Sequence, residues 1–217
     1  MRTPYNRIAG ENLDRLAALS DGIFAVAMTL LVLNLHIPEA LPKGMISIDD
    51  GVGLLRALIR HLPNLLAYFM SFLTLGILWV GQQTQLNHFR SVDRNLTWLH
   101  LGFLLALTLI PFSTSLLATF ITNYVALLIY WLNILLMGVT HFASWRYASH
   151  IGHVREDMAT EEMSRVHERR LIIAQSLYAL TVIPAFIVKN TSVSIVLIVL
   201  IQLNYAIAPR IPLLDRL

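Results

Sequence analysis

Between Leu16 and Leu35 the chain is apolar for a bilayer-spanning length, yet a carboxylate, Asp21, stands inside the run. Only Ser20, Asp21, Thr29 and Asn34 interrupt it, and about 20 apolar residues are what a helix needs to cross the hydrocarbon. An ionised carboxylate in that medium must be paired, face a wet cavity or lie near the interface. At 100° per residue, Val26, Leu30 and Leu33 fall within about 60° of one another, and Asp21 lies about 140° from Val26. One face is therefore branched and apolar, and the opposite face near the start is polar. A helix surrounded by lipid alone has no use for the second face, so partners from elsewhere in the fold are expected.

The remainder of the chain is as apolar as this helix. Hydrophobic residues make up 56% and charged residues 13%, with a mean hydropathy of +0.64, against about 25% charged in soluble proteins. This composition predicts an all-α integral membrane protein, organised over 1–217 as a single six-helix transmembrane domain. The expected spans are about 14–36, 62–81, 96–119, 123–146, 169–188 and 191–208, the last two joined by the short turn Lys189-Asn190-Thr191-Ser192 as a tight antiparallel hairpin. Twelve of the sixteen Lys and Arg residues fall on the side that carries both termini, which predicts a multi-pass protein of the plasma membrane with N- and C-termini in the cytoplasm. The first fifteen residues lack an apolar core with a cleavage site, so no removable signal peptide is expected.

The same features exclude other classes. A net charge of +3 and a pI near 9.4 do not point to nucleic acid, because the basic residues sit at helix ends. The absence of cysteine removes disulfides, thiolate catalysis and zinc–thiolate sites. The sequence has no TVGYG potassium filter, Gly-x-Gly-x-x-Gly loop, Walker A or Gly-x-Ser-x-Gly elbow, and no arranged nucleophile and base, so no enzyme and no cofactor are expected.

Two connections carry charge. Segment 37–60 has Pro38, Pro42, Gly44, Gly51 and Gly53, which predict a loop leading into a short helix near Leu54. Its carboxylates Glu39, Asp49 and Asp50 fit a cation-gathering vestibule, though a merely solvated loop accounts for them more simply. Segment 147–170 mixes signs, with Glu161 and Glu162 spaced four and three residues from Arg165 as in a solvated helix extending from a span. His150, His153 and Asp157 are spaced to ligate a transition metal, but such a trio on a surface helix usually ligates nothing. Pro111 and Pro184 lie deep in spans three and five, where each predicts a kink. Trp131, Trp145 and Tyr147 read as packing or interfacial residues.

Arg15, Ser20 and Asp21 form R-x-x-x-L-S-D, followed by Gly22-Ile-Phe-Ala-Val-Ala-Met-Thr-Leu-Leu-Val-Leu. This resembles the R-x-x-x-F-S-D signature on the first helix of the lysosomal-type potassium channels and their single-repeat prokaryotic relatives, with Leu19 in place of the phenylalanine. Weaker similarity lies in Trp79-Val-Gly-Gln-Gln, in Val92-Asp-Arg-Asn-Leu-Thr-Trp98-Leu and in Pro111-Phe-Ser-Thr-Ser-Leu-Leu. Where relatives read N-H-H after the tryptophan this chain has Gly81-Gln82-Gln83, and His100 stands where they carry asparagine. Glutamine does not titrate, so proton sensitivity is not carried onto Gln82 and Gln83.

The resemblance implies a potassium-permeable channel, a homotetramer in membrane lipid whose central pore is lined by helix one and whose permeant ligands are monovalent cations. It implies a filter of apolar side chains, expected at Val26, Leu30 and Leu33 with Thr29 at the edge. It also implies a polar network of Arg15, Ser20 and Asp21 with Trp79, Trp98 and His100 as candidate partners. Periodicity by itself suits Val26, Leu30 and Leu33 as ordinary core packing at least as well. The runner-up reading is a proton- or cation-coupled transporter using Asp21 as its titrating carrier, which no inverted repeat or pair of broken helices supports, and the third is a non-conducting membrane scaffold or lipid-interacting protein, since hydropathy does not measure conductance.

Overall fold

The computed structural model describes residues 12–33, 35, 51–155 and 161–207, with the side chains of 161–163 excepted. These residues are almost wholly helical: α1 (Leu13–Leu33), α2 (Gly51–Arg60), α3 (Leu62–His88), α4 (Arg94–Thr108), α5 (Ile110–Thr119), α6 (Tyr124–Ile151), α7 (Glu161–Val188) and α8 (Ser192–Ile207). Five helical stretches, counting α4 and α5 together, are long and apolar enough to cross a membrane, and α8 is apolar but shorter at 16 residues. The vestibule carboxylates Glu39, Asp49 and Asp50, the candidate metal ligand Asp157, and the Glu161 and Glu162 side chains lie outside the described residues. The short helix expected near Leu54 is α2.

Local chemistry explains the boundaries. The Asp93 side chain accepts from the Leu96 N–H at 2.9 Å and that of Asn123 from the Val125 N–H at 2.8 Å, each satisfying an amide that the first turn leaves unpaired. Helix α6 ends at Gly152, whose φ of 74° is a left-handed conformation that glycine adopts without strain. The proline in span three does not bend one helix but divides two. Helix α4 stops at Thr108, Leu109 caps it, and Pro111 sits in the first turn of α5, where its missing N–H costs nothing. Pro184 instead stays inside α7, and the next amide, Ala185 N–H, donates to Ser194 Oγ of α8 at 3.1 Å.

Consecutive spans alternate in direction, and polar pairs show which ends meet. The starts of α1, α4 and α7 gather with the ends of α3 and α6. There Arg90 N–H donates to the His153 carbonyl at 2.7 Å, Tyr147 Oη donates to Asp93 Oδ2 at 2.7 Å, and Arg146 pairs with Glu168 at 3.8 Å. At the other end Thr191 Oγ1 bonds the Ile121 carbonyl, beneath the turn in which Lys189 takes a φ of 52°. His153 is engaged by its neighbours: its Nδ1 lies 2.6 Å from Ser91 Oγ and its Nε2 4.0 Å from Asp93, and no three potential ligands converge among the described residues.

The core is apolar around Phe24, Leu31, Met70, Phe103, Leu107 and Tyr130, with a chain of hydroxyls through it. Thr114 Oγ1 donates to Ser71 Oγ (2.6 Å) and Ser71 Oγ to Tyr130 Oη (3.3 Å), while Gln202 Nε2 donates to Thr74 Oγ1 (2.7 Å), itself 3.1 Å from Tyr130 Oη. The chain ties α3, α5, α6 and α8 together. Such bonds hold helices in register where lipid tails offer no hydrophobic drive, at about 0.6 kcal/mol each.

Candidate pore helix and its anchoring network

Helix α1 packs on α3, α4 and α5. Its buried residues Leu16, Ser20, Phe24, Ala27 and Leu31 recur every three or four positions and so form one stripe. Phe24 and Leu31 are 1% and 0% exposed, with the Phe24 ring 6.1 Å from that of Phe103 in α4. Val26, Leu30 and Leu33 are 57%, 42% and 70% exposed, so within one subunit they are not core packing. Thr29 is exposed beside them, its hydroxyl donating to the Val26 carbonyl at 2.8 Å. An apolar groove of about 410 Å³ opens along the same side, lined by Leu19, Gly22, Val26 and Leu30 of α1 and by Thr108 and Pro111 at the α4–α5 break.

Two sets of polar contacts hold the first half of α1. Ser20, fully buried, donates to the Leu16 carbonyl at 2.8 Å, and its Oγ lies 2.6 Å from His100 Nε2. The same imidazole nitrogen is 3.2 Å from Gln82 Nε2, so α1, α3 and α4 meet at one buried ring. Asp21 sits at the edge of the bundle. Its Oδ1 accepts from Trp79 Nε1 at 2.8 Å and from Gln83 Nε2 at 2.5 Å. Two donors on one carboxylate oxygen stabilise the charge through charge-assisted bonds, and they come from a single face of α3 because Trp79 and Gln83 are four residues apart.

Of the expected partners of Asp21, the structure brings Trp79 to it, and it places His100 on Ser20 instead. Trp98 stands 63% exposed on α4, away from both. Arg15 is exposed in the first turn of α1, where its backbone N–H is capped by Asn12 Oδ1 at 2.9 Å. Gln82 and Gln83, which the sequence marks only as non-titrating replacements, both join the network. Their spacing of three and four residues from Trp79 is the signal that makes them its neighbours on α3.

The arrangement ties α1 to α3 and α4 by side-chain hydrogen bonds at two adjacent residues. Comparisons with known proteins show the family. The sequence profile of the endosomal/lysosomal potassium channel TMEM175 matches residues 15–111. A potassium channel of Streptomyces collinus is 32% identical over 177 residues, covering 80% of this chain and 82% of that protein. The human endosomal/lysosomal proton channel TMEM175 is 37% identical over 84 residues, 37% of this chain but 16% of the human protein. The crystal structure of a lysosomal potassium-selective channel TMEM175 homolog from Chamaesiphon minutus shares the fold, with a TM-score of 0.75 at 23% identity over 91% of this chain and 98% of that one. With a relative 32% identical aligned along most of its length and the profile matching the first half of the chain, this chain belongs to the TMEM175 family, a family of ion channels and not of enzymes.

Proposed function

We propose that the chain forms a potassium-permeable channel of the plasma membrane. Residues 1–217 make one domain with six spans, α8 being the sixth, and four copies assemble around a central pore lined by α1. The termini lie in the cytoplasm, since among the described residues the end of the bundle with the helix starts of α1, α4 and α7 carries most of the arginines. The observation that carries this reading is the division of α1 into a pinned face and a free one. The stripe from Leu16 to Leu31 is buried and polar-locked, which aims Val26, Leu30 and Leu33 away from the subunit. A lone bundle of this size has no room for an aqueous path among its own helices, so a shared axis is the place for one.

Val26, Leu30 and Leu33 then stack as three apolar rings over about 10 Å of helix rise. A narrow apolar ring gates by dewetting and selects by the cost of stripping water from the ion, a cost that is lower for potassium than for sodium. Thr29 at the edge supplies a hydroxyl for a partly dehydrated ion. Ser20, Asp21, Trp79 and His100 hold the helix, and Arg15 and Trp98, outside that network in a single subunit, are surfaces for neighbouring copies. Asp21, bonded by two neutral donors, serves as a structural carboxylate and not as a carrier.

Purified protein in planar bilayers tests this directly. Unitary potassium currents with a reversal potential shifted toward that of potassium are expected, together with a tetramer in native mass spectrometry. Slow saturable flux without unitary events, or a conducting monomer, would remove the shared-pore reading.

A further inference from the structure

Helix α2 is short but strongly sided. Gly53 and Ala57, four residues apart, are buried, whereas Val52, Leu54, Leu55, Leu58 and Ile59 are exposed. Its two charges, Arg56 and Arg60, are also four apart and so share one face. At 100° per residue Arg56 stands about 60° from Ile59, so the arginines flank the apolar arc. Neither guanidinium has an ion pair or hydrogen bond among the described residues.

The junction with α3 carries this face into the membrane span. Only His61 separates the two helices, and its φ and ψ of −88° and 0° are helical. Its N–H donates to the Ala57 and Leu58 carbonyls at 3.3 and 3.0 Å, and its carbonyl accepts from the Asn64 and Leu65 N–H groups at 3.0 and 3.2 Å. The helical register therefore passes from α2 into α3. Leu55, Ile59, Leu62, Leu66 and Phe69, all exposed, follow one another at four- and three-residue steps and form a single stripe.

Length sets the depth of α2. On the same side of α3 the last exposed apolar residue is Val80, before the polar run Gln82-Gln83-Thr84. From Val80 back to Leu55 the helical path is about 38 Å, against about 30 Å of hydrocarbon, so the excess, which is α2, meets the headgroups. Whatever lies against it must offer both an apolar layer and anions. A second copy offers no anion there among the described residues, because the carboxylates of Asp14, Asp21, Asp93 and Glu168 all lie toward the opposite end of the bundle. Phospholipid offers both, with acyl chains beside the stripe and phosphates at the level of the arginines.

We propose that α2 is a phospholipid-binding helix in the leaflet away from the His88 end of α3, with Leu55 and Ile59 against acyl chains and Arg56 and Arg60 holding the phosphates of anionic headgroups. The long arginine stems lie along the apolar surface and carry their charges to phosphate depth. Amphipathic helices with arginine beside a broad apolar arc bind at this depth through apolar burial and attraction to anionic lipid. Each arginine favours an anionic over a zwitterionic headgroup by about fivefold.

The chain has no cysteine, so single cysteines introduced into the full chain take a label at one chosen place. In vesicles of phosphatidylcholine and phosphatidylglycerol, nitroxides at Leu55→Cys and Ile59→Cys should collide more with oxygen than with a water-soluble nickel chelate. Dominant nickel collisions would put α2 in water, and protection from both reagents would bury it against a second copy; either result overturns the proposal. A bimane at Leu58→Cys, quenched by brominated lipid, reads the headgroup. Brominated phosphatidylglycerol should be preferred to brominated phosphatidylcholine, and Arg56→Gln and Arg60→Gln should each reduce that preference about fivefold. Equal response to the two lipids in the parent, as when Glu39, Asp49 or Asp50 holds the guanidinium groups, overturns the proposal, as does a preference unchanged in the variants. If the variants do not assemble, salt on the parent decides: the preference must fall as ionic strength rises, and one indifferent to salt overturns the proposal equally.

Discussion

The two halves of α1 are built on opposite principles. In the first half, Ser20 and Asp21 are engaged by side chains of α3 and α4, and their rotation is set by directional bonds of 2.5–2.8 Å. In the second half the outward residues Val26, Leu30 and Leu33 touch nothing of their own subunit that would bury them. The difference teaches how an apolar face can be aimed. Dispersion contacts are non-directional, and on the reading proposed above the polar bonds made one to three turns away add the directional preference that turns the outward face toward a pore.

Neighbouring residues give the largest contrast. Leu30 is 42% exposed and Leu31 is 0%. Leu31→Ser opens a cavity and places a hydroxyl in the core, and should cost about 2–5 kcal/mol, read as a lowered midpoint in denaturation from mild detergent. Leu30→Ser should stay within about 0.5 kcal/mol of the parent in the same measurement. Equal losses at the two positions would mean that α1 has no free face.

Next in size is the lock. Asp21→Ala leaves the Trp79 indole and the Gln83 amide without an acceptor, at about 1 kcal/mol, the low end of the usual range because Trp79 is 41% exposed. The fraction of tetramer in native mass spectrometry should fall, and Asp21→Asn, which keeps a carbonyl acceptor, should recover part of it. If Asp21→Ala assembled normally and conducted with altered selectivity, Asp21 would belong to the pore and the rotation of α1 would be wrong.

The residues proposed as the filter should do the reverse, changing current and not stability. Leu30→Ser and Leu33→Ser are expected to wet the constriction, raise unitary conductance and move reversal potentials in mixed potassium and sodium toward non-selectivity. Serine variants at Val26, Leu30 and Leu33, singly and together, that leave both quantities unchanged would take the filter away from this face. The smallest effect is expected at Trp98, which has no part in the network within a subunit. Trp98→Phe should leave the Trp79 indole proton, followed by NMR in the wild type and variant, at the same shift.

Much of this arrangement is legible in the amino-acid sequence. The helix positions follow from hydropathy, and Asp21 announces itself as a residue in need of donors. Trp79 is identifiable as one of them by resemblance. His100 and Trp98 are equal candidates by sequence, being two residues apart on α4, but a two-residue step turns a helix by about 200°. One of them therefore reaches the bundle interior and the other leaves it, and only the packing of α4 against α1 says which. Gln83 is legible in principle from its four-residue distance to Trp79, a stronger clue to its role than its inability to titrate. The break at Leu109 differs from the expected kink for a local reason: a proline is tolerated most easily in the first turn of a new helix.

What the sequence alone determined is the solvent and the segment plan. Runs of this length and apolarity must be helical in lipid because every backbone amide has to be satisfied within its own segment, and that requirement is local. Which side chains meet is not local. The polar chain from Ser71 through Tyr130 and Thr74 to Gln202, the contacts of the His167 ring with His88 and His141, and the engagement of Ser20 by α4 and of Asp21 by α3 join residues far apart along the chain. They depend on the rotation and offset of each helix against its neighbours, quantities that a pattern of apolar residues leaves open when both faces of a membrane helix are apolar. The tertiary structure decided those rotations, through the few directional bonds that lipid does not compete for.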